Sequence, residues 1–234
     1  MAIYEKEGFK MLEKPAPGSF DPKVLVKQHV AGVKEEEKVF GPAFSRMVAE
    51  NTLSFLSERT KEKPPEGITT MEQVAQYSIS KLSEYPSPQC AMLYAQYKTE
   101  RMLEGQVGSA HRLSGIGWQR KTMEVKDRKG ERQVNFDAMI SDFAKAATML
   151  KVRPEIGYRK NANGTLDLLL PSCYYKDGCR EATKEGLTTR QDGKKICSVG
   201  VNIGIFLKAA TGYEWDYECV EYDKPHCMVR LTGL

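Results

Sequence analysis

The hydrophobic pattern of this chain changes at Pro154, and that change most constrains its fold. Before Pro154, apolar residues recur at helical spacing, most clearly over 136–150. After Pro154, they fall into short runs bounded by turn residues, which is typical of strands. Asn163 and Gly164 separate two such runs and predict a hairpin with a tight turn. The sequence therefore predicts an α+β fold, with helices packed on one face of an antiparallel sheet.

The remaining segments complete this outline. Thr69 and Glu72 form the signature of a capping box before an amphipathic helix. A helix over 196–210 is predicted to stop at Gly212, and 172–195 is predicted to be a polar connection. Short strands are predicted at 214–220 and 227–231. We expect residues 1–38 to be an N-terminal arm, with a short helix or strand near Val24–Val30, and residues 39–234 to be a single domain.

Composition favours a soluble protein without a nucleic-acid surface. The 234 residues carry a net charge of only +4, and the basic residues form no block. The N-terminal residues include no apolar signal segment, and no apolar run approaches the length of a membrane span. We therefore expect a cytoplasmic protein, in a reducing compartment where cysteines are kept as thiols or bind metal.

Five of the six cysteines lie after residue 172, in the strand-rich part of the chain. Cys219 and Cys227 flank the turn between the last two strands, so we expect them at about cross-strand distance. Cys197 opens the preceding helix, and Cys173 follows the apolar strand. Thiolates converging from these elements suit a soft tetrahedral ion, with zinc first and an iron–sulfur cluster second.

Two other interpretations of the cysteines stay open. Reduced cysteines are commonly buried without function, and a disulfide or redox role is the further alternative. The spacing of Cys219 and Cys227 is not that of a standard zinc finger. His226 is a further possible ligand, although its side chain should point to the opposite strand face from that of Cys227. Cys90 lies far from the others and is interpreted as a core residue.

The last third of the chain resembles the 4-vinyl reductase domain family. The resemblance lies in three stretches of the sequence: GTLDLLLPSC, KICSVGVNIGIFLKAATGYEW and ECVEYDKPHCMVRL. It covers about residues 133–232. It implies a twisted antiparallel sheet like that of the small subunits of the transport protein particle (TRAPP) tethering complex, and a homodimer. It also implies a pocket for a small hydrophobic or aromatic molecule, as in the related phenol-sensing domains.

The resemblance also implies site residues. In the phenol sensors a zinc is held by a Cys before the helix, an acidic residue and two cysteines spaced like Cys219 and Cys227. Asp216 occupies the acidic position here. Because the intervening spacing is shorter and Cys173 and Cys179 are additional thiols, we predict the metal ligands Cys173, Cys197, Cys219 and Cys227, with Cys179 or Asp216 as substitutes.

The predicted function is binding of a small hydrophobic or aromatic molecule, with a zinc that supports the fold. His111 and Trp118, seven residues apart, correspond in type to the phenol-holding pair, and Phe143 is predicted to line the pocket with Phe44 and Phe55. One alternative is an enzyme, a hydrolase or reductase that uses the cysteine or metal site. The other is a protein-interaction module with charged contact surfaces.

Overall fold

The computed structural model describes residues 7–102, 135–222 and 226–234. In these ranges the chain forms seven α-helices and a five-stranded antiparallel sheet, which confirms the α+β class. The helices are α1 (Pro22–Phe40), α2 (Pro42–Thr60), α3 (Met71–Ser80), α4 (Pro88–Met102), α5 (Phe136–Met149), α6 (Lys176–Lys184) and α7 (Ser198–Thr211). The strands are β1 (Lys10–Met11), β2 (Gly157–Lys160), β3 (Leu166–Leu170), β4 (Trp215–Glu221) and β5 (Cys227–Gly233).

The described residues divide into two compact units. The first, which we call the sheet unit, draws on Met1–Phe20, Lys121–Cys173 and Lys194–Leu234. The second, which we call the helical unit, draws on Asp21–Arg120 and Tyr174–Gly193. No helix in the described part of the chain combines the length and the apolar character needed to cross a bilayer.

In the sheet unit the strand order is β1-β2-β3-β5-β4. All five residues of the central strand β3 are buried. On one face of the sheet, Leu166, Leu168 and Leu170 of β3 lie opposite Leu231, Val229 and Cys227 of β5. In β4 and β5, buried residues alternate with more exposed ones, as expected for strands with one covered face.

The predicted hairpin is confirmed, but its turn is longer than two residues. Strands β2 and β3 are joined by residues 161–165, and the Asn161 N–H donates to the Thr165 carbonyl across the loop at 2.9 Å. Gly164 has a φ of +81°, a backbone conformation that favours glycine. A longer loop with this one left-handed residue therefore replaces the tight primed turn.

Two helices of the sheet unit match the sequence patterns closely. Helix α5 begins after Asn135, whose side chain accepts from the Ala138 N–H. Helix α7 ends at Gly212 with a φ of +80°, as predicted. A Cβ added to Gly200 of α7 would lie 2.6 Å from Cγ1 of Val229 in β5. Helix α7 therefore packs closely against the buried face of β4 and β5.

The helical unit contains α1 to α4 and α6, and three of its segments differ from the sequence prediction. Residues 22–40 form one long helix rather than part of an extended arm, because Asp21 caps it and Pro22 fits the first turn. The capping box of α3 is made by Thr70 and Gln73, one residue later than predicted. Residues 172–195 contain helix α6. The apolar core of this unit comes from α1 to α4, and includes Val26, Val33, Phe44, Val48, Met71, Val74 and Met92.

Candidate functional site

Three of the four cysteines predicted as metal ligands share one covered face of the sheet unit. Cys219 lies in β4 and Cys227 begins β5, each at a buried position of the alternating pattern. Cys197 is the N-cap residue of α7, the helix packed against that face. Cys173 follows β3 and is only partly buried. The fold thus brings Cys197, Cys219 and Cys227 to the same layer of the unit.

The strand register, however, does not place Cys219 directly across from Cys227. Cys219 lies opposite Val229, and Cys227 lies opposite Leu170 on the other side of β5. The register of β4 and β5 shifts between Cys219 and Glu221. Cys219 and Cys227 are therefore offset by two residues across the β4–β5 pair rather than directly opposite. All six cysteines fall in the described ranges and are thiols.

Local hydrogen bonds hold two of these thiols. The Cys197 Sγ accepts from the Gly200 N–H at 3.4 Å, the capping role that a serine hydroxyl usually has. The Cys219 thiol donates to the Glu221 carbonyl at 3.4 Å. The Cys219 N–H donates to the Lys195 carbonyl at 2.9 Å, which ties the segment before α7 to the edge of β4. In this arrangement both sulfur atoms have protein partners as thiols.

The described residues do not fit a metal ion in this arrangement. Among them, no three or more His, Cys, Asp or Glu side chains are grouped so as to hold one. Asp216, the predicted substitute ligand, is ion-paired with Lys194. His226 pairs with Glu221, with 3.0 Å between Nε2 and Oε2. Zinc binding at Cys173, Cys197, Cys219 and Cys227 stays a prediction.

The other two cysteines belong to the helical unit. Cys90 is buried in α4, which confirms it as a core residue, and burial raises the pKa of its thiol to about 12. Its thiol donates to the Tyr174 carbonyl at 3.3 Å. Cys179, the other predicted substitute ligand, lies in α6 and is partly buried.

The predicted ligand-binding residues lie in different parts of the chain, and none of the described ones lines an open pocket given below. His111 and Trp118 lie outside the described residues. Phe143 is buried in α5, and its ring meets that of Phe206 edge to face at 5.5 Å. Phe44 and Phe55 are buried in α2 of the helical unit, where Phe55 packs on Tyr94 at 4.8 Å between ring centroids. These three phenylalanines act as core residues of their units.

A cleft of about 390 Å³ opens on the sheet unit, and we call it the Trp215 cleft. Two aromatic side chains, Phe136 and Trp215, meet edge to face at 5.6 Å at its wall. The remaining lining is mostly polar and comes from Lys160, Asn163, Gly164, Thr165, Thr232 and Gly233. An apolar aromatic wall with a few polar groups is the usual composition of a small-molecule site.

A second cleft of about 280 Å³ adjoins the first and shares Phe136 and Lys160 with it; we call it the Lys10 cleft. In it, the Lys10 ammonium donates to Oδ1 of Asp137 at 2.7 Å, and the Tyr158 hydroxyl donates to the same oxygen. The hydrogen bond from Lys10 is the main reason that the pKa of Asp137 is lowered. Burial, followed by the hydrogen bond to Asp137, raises the pKa of Tyr158. Asp137 is thus held as a carboxylate.

The helical unit contains a buried polar chain that the sequence reasoning missed. His29 and Glu36 of α1 are both buried, and Gln96 of α4 bonds to each of them. The Gln96 amide donates to Oε1 of Glu36 at 3.2 Å, and its oxygen lies against Nδ1 of His29. The edge of the His29 ring also meets Tyr175 at 5.4 Å. The sequence feature that could have predicted this chain is the position of His29 and Glu36 on the apolar face of one helix.

Comparison with known proteins assigns no family to this arrangement. No protein-family model, no curated protein and no solved structure matches the chain. The likeness to 4-vinyl reductase domains is therefore a prediction from the residues of the last third.

Proposed function

We propose that this protein binds a small hydrophobic or aromatic molecule in the Trp215 cleft. The observation that carries the proposal is the pairing of two aromatic rings with a polar rim in one cleft. Phe136 and Trp215 supply the apolar wall, and the exposed residues Lys160 and Thr232 supply polar groups at its edge. A volume of about 390 Å³ lies at the lower end of the range for ligand pockets, which suits a molecule of one or two rings.

The lining of the Trp215 cleft includes a glycine at which a larger side chain could be introduced. Gly233 lies in its lining, and a Cβ there would stand 3.7 Å from the Trp215 ring, an ordinary contact distance. A larger side chain at this position would therefore occupy the cleft without forcing the backbone to move. Leu234, the next residue, is exposed and does not line the cleft, so Leu234→Ala is a suitable control.

Isothermal titration calorimetry with 2-naphthol as the ligand tests the proposal. We expect saturable binding to the native protein and to L234A, and binding at least about tenfold weaker to Gly233→Leu. Saturable binding of equal strength to G233L would move the site elsewhere, and no binding by the native protein would count against the proposal. Mass spectrometry of protein purified under native conditions would identify a ligand that co-purifies.

We also propose that zinc, when present, draws Cys197, Cys219 and Cys227 of the sheet unit together, since these side chains are not grouped to hold an ion in the arrangement described above. What supports it is the position of Cys197, Cys219 and Cys227 on one covered face at the start of α7. Elemental analysis should find about one zinc per chain in the native protein and in Cys90→Ala, and much less in Cys219→Ser. Metal-free native protein of undiminished stability would contradict this proposal.

The resemblance adds two finer proposals, a sheet like that of the TRAPP small subunits and a homodimer. Analytical ultracentrifugation tests the second, because a chain of 26.4 kDa should then sediment at twice that mass. An experimentally determined structure tests the first. The enzyme and the protein-interaction module stay alternative hypotheses.

A further inference from the structure

We infer that the ligand of the Trp215 cleft carries an anionic group, of the carboxylate class, and that Lys160 recognises it. This inference rests on the proposed function and adds the charge of the ligand. Lys160 is the last residue of β2, is exposed, and lines both the Trp215 cleft and the Lys10 cleft. Because Lys160 lines both clefts, a ligand in either one would meet it.

The Lys160 ammonium is held over an aromatic wall. Its Nζ lies 5.7 Å from the ring centroid of Phe136, within the range of a cation–π contact. A ligand ring resting on Phe136 and Trp215 would therefore bring its own substituents within reach of the ammonium. Asn163 is already used in the turn, because its Oδ1 accepts from the Thr165 hydroxyl at 2.8 Å.

The charges around the two clefts favour an anion. The Lys10 cleft is lined by three cations, Lys10, Arg159 and Lys160, and by one carboxylate, Asp137, which leaves a surplus of two positive charges. Lys10 is ion-paired with Asp137 at 2.7 Å. Arg159 donates to the buried Asp167 at 3.0 Å. Among the described residues, Lys160 has no carboxylate within ion-pair distance, so its charge is the one available to a ligand.

A neutral hydrophobic ligand would leave this charge unused, whereas an aromatic carboxylate would use both the wall and the ammonium. Hydrogen bonds between ions are shorter and stronger than those between neutral groups. At an open cleft the gain is limited by solvent and by salt. We therefore expect a preference for the anion that weakens as ionic strength rises.

The test compares 2-naphthoate with 2-naphthamide, two probes of the same shape that differ in charge. The native protein should bind 2-naphthoate about tenfold more tightly at low ionic strength. Lys160→Gln should bring the ratio of the two affinities to about one, and Lys160→Arg should retain the preference for 2-naphthoate. Lys145→Gln is the matched control, since Lys145 is an exposed lysine of α5 that lines neither cleft.

The outcomes separate the inference from the proposed function. Equal binding of the two probes by the native protein would overturn the inference and leave small-molecule binding intact. A loss of both probes in K160Q to the same degree would also overturn it, because Lys160 would then act by packing rather than by charge. If neither probe bound, the proposed function would fall together with the inference.

Discussion

The sheet unit and the helical unit place their polar side chains in opposite ways. In the sheet unit, several polar and charged side chains line open clefts, and the side chains of β3 and β5 that face each other on the covered face are apolar apart from Cys227. In the helical unit, an imidazole, an amide and a carboxylate are buried and bond to one another. Polar groups at an open cleft are available to a ligand, whereas buried ones that bond to each other mainly fix how helices pair. This contrast is the reason that the proposed small-molecule site is placed in the sheet unit.

A close helix contact at a glycine in each unit provides the largest test of this comparison. In the helical unit, a Cβ added to Gly178 of α6 would lie 2.5 Å from the Cys90 carbonyl oxygen, which is backbone. In the sheet unit, the atoms nearest to a Cβ on Gly200 would be side-chain atoms, with Val229 at 2.6 Å and Cys197 and Tyr217 at 3.5 and 3.6 Å. Gly178→Ala should lower the free energy of unfolding by about 3 kcal/mol, and Gly200→Ala by less, about 1–2 kcal/mol.

Urea unfolding of the two alanine variants measures both effects. Alanine favours a helix over glycine by about 1 kcal/mol. The measured loss in unfolding free energy is therefore the cost of overpacking minus this gain. If Gly200→Ala proved the more damaging, the closer backbone approach would belong to the sheet unit, and the helical unit would not be the more rigidly packed of the two.

Asp167, a buried carboxylate among the described residues of the sheet unit, should behave like the polar groups of the helical unit. Asp167 of β3 is fully buried, and the Arg230 guanidinium donates to it at 2.8 and 3.2 Å. Burial is the largest influence and raises the pKa of Asp167, but hydrogen bonds from Arg230, Asn161 and Arg159 outweigh it and lower that pKa. Asp167→Asn should cost about 2–3 kcal/mol at neutral pH, less than a fully buried pair, since both arginines reach solvent.

The same substitution predicts a pH dependence. A carboxyl whose pKa is lower in the folded than in the unfolded state stabilises the protein above its unfolded pKa, and this contribution is lost as pH falls through the folded pKa. The stability difference between the native protein and D167N should therefore shrink below about pH 4. A difference that stayed constant down to the acid transition would show that the Asp167 charge does not matter.

The buried polar chain of His29, Gln96 and Glu36 in the helical unit is tested by a substitution at its central residue, Gln96. Gln96→Leu removes the hydrogen bonds to His29 and Glu36 while keeping a side chain of similar size. We expect a loss of about 2 kcal/mol in thermal or urea unfolding, because two buried polar groups lose a partner. Thr99→Val on the same helix removes one bond, from Asn51 at 3.1 Å, and should cost about 1 kcal/mol. An unchanged Q96L stability would show that the chain contributes nothing net.

Strong local patterns are the part of this fold that could be predicted from the sequence. The helix that ends at Gly212 and the last two strands follow from apolar spacing and one left-handed glycine. Helix α6 was not predicted. In its sequence, KDGCREATK, only Gly178 and Ala182 are buried, and two small residues are too few to show a helical hydrophobic period. Gly178 itself looks like a helix breaker until the close approach of Cys90 explains it.

The candidate sites depend on contacts between distant residues, and these are harder to predict. The Trp215 cleft is lined by Phe136, Lys160 and Trp215, which come from three separate elements, so no local sequence motif predicts it. The offset of Cys219 from Cys227 follows from the register of β4 and β5, which pairs Cys219 with Val229, and the spacing of two cysteines does not encode that register. The cysteines could be assigned to one face by strand alternation, but their relative positions could not.

Helix capping gives the smallest test, with one cap in each unit. Thr70 caps α3 of the helical unit in a reciprocal box with Gln73, whereas Asn135 caps α5 of the sheet unit by a single acceptor bond to the Ala138 N–H at 3.1 Å. Thr70→Ala and Asn135→Ala should each lower the unfolding free energy by about 1 kcal/mol. Because Asn135 also lines the Lys10 cleft, N135A should additionally alter 2-naphthoate binding if the ligand extends into that cleft, and T70A should not. Equal effects of both variants on binding would indicate that stability, rather than the cleft, controls affinity.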